Sequence, residues 1–422
     1  MINKFGKNDW LVVFSLIASS GCVFSVLGID KIIAPFLFII VLILTRKANL
    51  FRNKNFCICF LKILFTLVIL FLLHSLNIDS ISTFLNINDL SIFLLFATTI
   101  LVSFYFYRRQ NFIFILNKVL FIFVIHGVLS FFVLAVFPTQ NVLFTTIDGG
   151  SKYLGYLYLF FQRTHVDYFS FLDPTYIDFF GYKLQRAHGM AWEPGNFAIY
   201  ANIFVFLNLF IFKKIKYVVL GLFAILITFS TSGIILLIFQ FLWYFLRNLK
   251  EVFTARFLLL KLTLLIILVP VLFVFTSNNI NEKIYGEKSG SGAARFLNTY
   301  VLIEAIKNNP IIGSGFYIVN YKKNINSYLK ISKAKLGNFL DVGNQNTFAS
   351  TNSFLRLFSQ MGIPIGLFLS YCIFKQSLIP NNKILFGFLM IFSLSSQPLM
   401  FSPFFFMFVS SGILSVLGFK KK

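Results

Sequence analysis

Charge is what this chain has least of. Only 12% of its 422 residues are Asp, Glu, Lys or Arg, and acids number 14 against 37 bases. Soluble domains carry about a quarter charged residues, so an ordinary water-facing globule is excluded. A disordered chain is excluded too, because disorder goes with low hydrophobicity. Cysteine is equally scarce. Cys22, Cys57, Cys59 and Cys372 make no disulfide framework, and the Cys57-Ile58-Cys59 pair lacks a second pair with which to hold zinc.

What is present is apolar. Hydrophobic residues make up 58% of the chain, with 60 phenylalanines, and the mean hydropathy is +0.83. This composition reads as a polytopic membrane protein, a single integral membrane domain over 1–422. A helix crosses the hydrocarbon with roughly 20 apolar residues. Twelve such stretches run at about 10–28, 29–45, 56–76, 90–107, 119–137, 196–212, 217–230, 233–246, 257–276, 352–374, 383–397 and 399–418. The seventh and eighth share one apolar run, split by the turn-forming Ser230-Thr231-Ser232-Gly233. Without that split there are eleven spans, and the C-terminus changes side.

The net charge of +23 supports twelve. With the N-terminus in the cytoplasm, every short inside loop is basic, and only Asp9 and Glu251 oppose that charge. Bases and acids nearly balance on the outside. This is the positive-inside pattern, with both termini cytoplasmic, and it leaves no basic patch for nucleic acid. Lys4 and Lys7 before an apolar run resemble a signal peptide, but the run continues past Cys22 into further spans and reads as the first helix.

Ionisable residues in mid-membrane mark transport pathways, and here they are nearly absent: His126 is the clearest, with Lys62, His74 and Lys261 near helix ends. The remaining charges sit in two long outside loops, 138–195 and 277–351. The first ends in Arg186-Ala187-His188-Gly189-Met190-Ala191-Trp192-Glu193-Pro194. Pro194 suits the first turn of a helix, which puts Glu193 at the positive end of the helix dipole. Arg186 lies across Gly189, which permits a tight bend. The same residues also fit a capping Glu beside an interfacial Arg. In the second loop, Arg295 to Asn309 has the period of an amphipathic helix, with Phe296, Tyr300, Ile303 and Ile306 as its apolar stripe. Pro310 stops it, and Gly313-Ser314-Gly315 forms a turn of the kind that offers backbone N–H groups to phosphate. The Lys- and Asn-rich stretch 320–346 reads as a mobile, solvated loop. Asn352 and Arg356, four apart, share a helix face at the start of the tenth span.

Four stretches in order carry a resemblance. They are Arg186-x-x-Gly189-x-x-x-Glu193-Pro194; Thr228 to Gly233; Arg295 with Asn309-Pro310-Ile311-Ile312-Gly313-Ser314-Gly315; and Thr351-Asn352-Ser353-Phe354-Leu355 with Gly362-Ile363-Pro364-Ile365-Gly366. Together with the span count they resemble the O-antigen polymerase/ligase family of bacterial membrane glycosyltransferases, and within it the Wzy-type polymerases. Ligases and many relatives place a His where Thr351 stands, and an Arg or Lys is frequent at Thr231; the missing His favours the polymerase, and the Arg186/Glu193-Pro194 pattern is similar to polymerases too. The resemblance implies an all-α, GT-C-like transmembrane helical bundle in the bacterial inner membrane, with both long loops periplasmic. It implies polymerisation of undecaprenyl-diphosphate-linked repeat units into O-antigen or capsule. Glu193 would be the base with His188 in reserve, and Arg186 and Arg295 would stabilise the leaving diphosphate. His188, Gly189, Arg356, Asn352, Gly313 and Gly315 would bind substrate. Partners would be the lipid-linked glycans, membrane lipids and a chain-length regulator; no cofactor, metal or nucleic acid is called for. Asp167, Asp173 and Asp178 contain no Asp-x-Asp of the kind a nucleotide-sugar transferase uses for its divalent ion. An O-antigen ligase is the nearest rival. A lipid-linked oligosaccharide flippase is the rival of another class, and it calls for ionisable residues along a cavity and short outer loops.

Overall fold

The computed structural model describes residues 7–26, 30–47, 87–109, 111–137, 140–145, 151–164, 176–179, 182–247, 289–315, 318–336 and 351–418, with scattered positions between 54 and 69. The expected span 257–276 lies outside these residues, and 56–76 lies outside them apart from those scattered positions. Each of the other ten expected spans has a described helix. Phe112–Val136, Pro194–Ile211 and Ser353–Lys375 are long and apolar enough to cross a membrane, and seven shorter apolar helices accompany them. The chain is an all-α polytopic membrane protein.

It divides into two compact units, Met1–Leu116 with Ala293–Lys422, and Asn117–Gly292. The first unit holds α1 (Lys7–Ala18), α2 (Val23–Val26), α3 (Asp30–Lys47) and α4 (Ile87–Arg109). The start of α5 (Phe112–Val136) belongs to it as well, and the rest of that helix to the second unit. The second unit holds α6 (Pro194–Phe206), which continues as a π-turn over Leu207–Ile211, then α7 (Ile215–Leu226) and α8 (Thr231–Arg247). Back in the first unit come α9 (Ser289–Asn308), apart from its first four residues, α10 (Ile318–Leu336), α11 (Ser353–Lys375), α12 (Lys383–Ser396) and α13 (Pro403–Val416).

In the first unit α13 is the centre, packed against α4 and α11. Helices in lipid gain little from hydrophobicity and associate through close packing and hydroxyl bonds. Thr99 Oγ1 meets Ser410 Oγ at 2.9 Å, and Ser103 Oγ donates to the Met407 carbonyl at 3.0 Å. A Cβ on Gly412 would lie 1.8 Å from the Cys372 carbonyl oxygen, so these backbones touch. Phenylalanines fill the rest: Phe96 stands edge-on to Phe406 with centroids 4.2 Å apart, and Phe386 lies 4.9 Å from Phe408. Asp9, counted above among the cytoplasmic charges, is fully buried. Its carboxylate accepts from the Tyr105 hydroxyl and, at 2.9 Å, from Asn111 Nδ2.

In the second unit α6 is buried along its whole length, and Asn202, with Asn208 in the π-turn that follows, is bonded inside the protein. Asn202 Nδ2 donates to the carbonyls of Ala198 and Gly233, and Gln240 Nε2 donates to Asn202 Oδ1 at 2.8 Å. Asn208 Nδ2 donates to Asn117 Oδ1 at 2.7 Å.

The first long loop holds five strands. β1 (Gln140–Thr145), β2 (Ser151–Leu157) and β3 (Phe160–Thr164) form an antiparallel meander, and β4 (Tyr176–Phe179) pairs with β5 (Tyr182–Gln185). Tyr, Phe and Val favour strands, and alternation here is short enough to pass for loop. Between β2 and β3 the turn is held to α5: His126, the candidate mid-membrane relay, has its Nε2 3.1 Å from the Leu159 carbonyl.

The second long loop also departs from expectation. α9 forms where expected, but the residues it buries are Leu297, Val301, Leu302 and Ala305, while Phe296 and Ile303 are exposed. The stretch read as mobile is helical over Ile318–Leu336. Its Tyr321, Ile325 and Leu329 repeat every fourth residue and pack on the buried face of α9.

Candidate active site

In the second unit the first two motifs come together at the N-terminus of α6. Glu193 is the residue before the helix, extended at φ −133°, ψ 151°, and Pro194 opens the first turn. Its carbonyl accepts from Phe197 N at 3.1 Å, while its side chain does not cap the helix. Upstream, Ala191 N donates to the His188 carbonyl at 2.9 Å, closing a tight turn in which Gly189 takes φ +50°. No side chain fits there, because a Cβ on Gly189 would lie 2.6 Å from the Gly127 Cα of α5. His188 is fully buried, with Nδ1 3.3 Å from the Ala191 carbonyl.

Arg186 reaches the turn between α7 and α8. Its Nε donates to the Thr228 carbonyl at 2.9 Å and one NH2 to the Phe229 carbonyl at 3.4 Å. Ala187 N donates beside them to the Ile227 carbonyl. These are carbonyls a helix C-terminus leaves without intrahelical donors, and a cation is favoured there by the dipole. The turn builds itself: Thr228 Oγ1 donates to the Ile225 carbonyl at 2.6 Å, and Ser230 Oγ accepts from Gly233 N at 3.3 Å as the cap of α8. The split at Ser230 is therefore real, and its carbonyls are what fix the plane of the Arg186 fork.

In the first unit the third and fourth motifs come together. α11 breaks at Gly362, which has φ 79° and ψ 169°, and Pro364 follows two residues later. Pro364 has no N–H for the Gln360 carbonyl, and Ile363 N turns away to the Pro310 carbonyl at 2.7 Å. The carbonyls of Ser359 and Gln360 are left over. Ser314 N takes the first at 2.7 Å and Gly315 N the second at 3.2 Å, while Gly313 N donates to the Asn309 carbonyl. The amides of Gly313 and Gly315, expected to face phosphate, are thus committed within the chain. Asn309 Nδ2 donates to the Tyr328 hydroxyl at 2.9 Å, tying the turn to α10.

Asn352 caps α11, its Oδ1 accepting from Leu355 N at 2.9 Å. One turn on, the Arg356 guanidinium stands between two rings, 5.4 Å from the centroid of Tyr321 and 5.7 Å from that of Phe401. Its buried Nε has no hydrogen-bond partner, and the same is true of Ser314 Oγ and Gln360 Oε1. A half-buried guanidinium whose buried Nε has no partner suits a ligand carrying anionic or hydroxyl oxygens. Burial pushes the Tyr321 phenol above its usual pKa, against the pull of Arg356 and of the bond to Ser359. Arg295 is exposed on α9. Tyr321 and Phe401 were missed by sequence reasoning; the four-residue period of Tyr321, Ile325 and Leu329 was the available signal. No three His, Cys, Asp or Glu gather among the described residues.

Searches of curated proteins and of solved structures returned no match to this chain. Residues 217–370 match the family model described as O-Antigen ligase. That stretch contains the second, third and fourth motifs; Arg186 to Glu193 lie upstream of it. Residues 217–370 are thus similar to the O-antigen polymerase/ligase family, and the match does not distinguish polymerase from ligase.

Proposed function

We propose that the protein polymerises undecaprenyl-diphosphate-linked repeat units into a surface polysaccharide, O-antigen or capsule, on the outer side of the inner membrane. The anomeric carbon of the growing chain loses its lipid diphosphate and bonds to a hydroxyl oxygen of the next unit. Glu193 takes the hydroxyl proton. Arg186 is assigned to stabilise the departing diphosphate, and Arg295, on the other compact unit, is a separate candidate for that charge, since planar forks bind phosphate oxygens in pairs. Arg356 and Asn352, four apart at the start of α11, are assigned to substrate binding, and His188 and Gly189 shape the turn that precedes Glu193. The arginines supply the counter-charge, so the reaction needs no divalent ion.

The observation that supports the reading is the position of Glu193 directly before α6, extended and with its side chain not used as the cap, beyond a tight turn over 188–191 whose upstream Arg186 is anchored on the Thr228 and Phe229 carbonyls. Polymerase is favoured over ligase because Thr351, ahead of the α11 cap, cannot serve as the imidazole that ligases carry there.

Glu193→Gln keeps the shape and removes the base, so polymer output should fall by about 10²–10⁴-fold with the chain still inserted. Arg186→Lys also loses fork geometry and is read together with a thermal unfolding measurement. In a complemented polymerase-deficient strain, full-length glycan ladders from both variants overturn the assignment. Deletion should leave single-repeat glycans; unlinked long glycans would make the protein a ligase.

A further inference from the structure

We infer that the Pro310–Gly315 turn is a re-entrant tip immersed in the bilayer, where Ile311 and Ile312 contact lipid acyl chains. Three observations carry this. First, the tip is apolar and uncovered: Ile311 is 72% and Ile312 48% exposed. Second, the tip continues a lipid-facing surface. On α11, Ile363, Leu367, Phe368 and Tyr371 are exposed along one face of a span, and Ile363 N is the group that bonds the Pro310 carbonyl at 2.7 Å.

Third, the attachment point lies below the headgroups. α11 ends at Lys375, whose Nζ sits 5.3 Å over the Tyr371 ring, a pairing suited to the membrane–water boundary. From Lys375 back to Gly362 the helix rises about 20 Å at 1.5 Å per residue. The hydrocarbon is about 30 Å thick, so Gly362 stands about 10 Å beneath the opposite boundary, and the tip bonded beside it is at that depth.

Irregular backbone survives at such depth only against protein. Here Gly313 and Gly362 carry no Cβ, the two backbones touch, and Ser359, Gln360 and Pro310 carbonyls each receive an amide. Lys307, in the last turn of α9, is paired with Glu304 at 3.7 Å, and its stem is long enough to snorkel toward the boundary. Immersion of the tip would set the height of the hairpin and with it the height of the Tyr321 ring against Arg356. The inference does not depend on the proposed reaction.

The test uses the full chain reconstituted in phospholipid bilayers, with nitroxide labels on Ile311→Cys or Ile312→Cys in a background lacking Cys22, Cys57, Cys59 and Cys372. Leu367→Cys is the lipid reference and Lys330→Cys the aqueous one. Collisions with oxygen should exceed those with a water-soluble nickel chelate at 311 and 312, as at 367, and the order should invert at 330. Nickel accessibility at 311 equal to that at 330 overturns the inference. So does protection from both reagents with spin–spin broadening between labels, which means a second copy covers the tip. Should the cysteine-free background not insert, Ile311→Cys in the native background is challenged with a membrane-impermeant maleimide in intact membranes. Resistance until the membrane is dissolved is expected, and prompt labelling overturns the inference.

Discussion

Gly362→Ala should be among the most damaging conservative changes in the first unit. The residue sits at φ 79°, ψ 169°, a region only glycine occupies readily, and alanine there is strained by about 1–3 kcal/mol. The added Cβ would also lie 2.0 Å from the Ile311 oxygen and 2.5 Å from the Ile311 carbonyl carbon. Both are backbone atoms, so no side chain can swing aside. The turn over 310–315 would lift, and the bonds Ser314 N to Ser359 O, Gly315 N to Gln360 O and Ile363 N to Pro310 O would break together. At about 0.5–1.5 kcal/mol each, the loss comes to about 3–7 kcal/mol with the strain included. Total stabilities run at about 5–15 kcal/mol, so the variant should melt far below the wild type. Gly315→Ala is the control: φ is +104° but a Cβ there meets nothing within 4 Å, leaving strain alone. Unfolding temperatures of detergent-solubilised protein, read by size exclusion after heating, compare the two. Equal melting of the two variants would refute the backbone contact on which the docking of the third motif onto the fourth is argued.

Two further outcomes follow from buried polar groups. Asn202→Leu should strip the Gly233 carbonyl and Gln240 Nε2 of a partner, at about 1–3 kcal/mol for each group left unmet; adding Gln240→Leu should recover part of the loss in unfolding temperature, and simple additivity would refute the coupling. The raised pKa of Tyr321 means the folded chain keeps a proton that the unfolded chain has released above the ordinary value of about 10. Stability should therefore fall as pH rises through that range, and Tyr321→Phe should flatten the fall; unfolding temperatures taken from about pH 9 to pH 11 with identical slopes would refute it.

Apolar length was the easiest feature to read, and it placed ten described helices. Which face of a helix is the core was not legible. On α9 the stripe of Phe296 and Ile303 is as apolar as that of Leu297, Val301 and Ala305, yet only the second is buried. In water an apolar stripe marks the core, but beside a membrane both protein and lipid accept one. α10 was hidden for a different reason. Its lysines and asparagines look like a solvated loop, and three residues, Tyr321, Ile325 and Leu329, are enough to dock it. Asp9 reads as one more surface charge because its partners, Tyr105 and Asn111, are about a hundred positions away in the chain.

The functional motifs were legible as residues and opaque as partners. Gly313 and Gly315 announce positive φ, and a turn with spare amides suggests an anion. The sequence also contains the competing acceptor, though not beside the turn. Pro364 has no N–H, so a helix through 353–375 must leave the Gln360 carbonyl without a donor. Gly362 allows the chain to bend there and release Ser359 as well. A donor-rich turn and an acceptor-rich kink are complementary, and in hydrocarbon, where water is absent, neither is tolerated alone. The same logic holds for Arg186, whose acceptors are the carbonyls that end α7. In both places the motif residue is recognised by its side chain or its glycine, while what it binds is main chain, which carries no letter in the sequence. Arg356 is the exception that results. No main-chain acceptor among the described residues reaches its Nε, and its guanidinium lies against the Tyr321 and Phe401 rings, so its electrostatic need is left to a ligand.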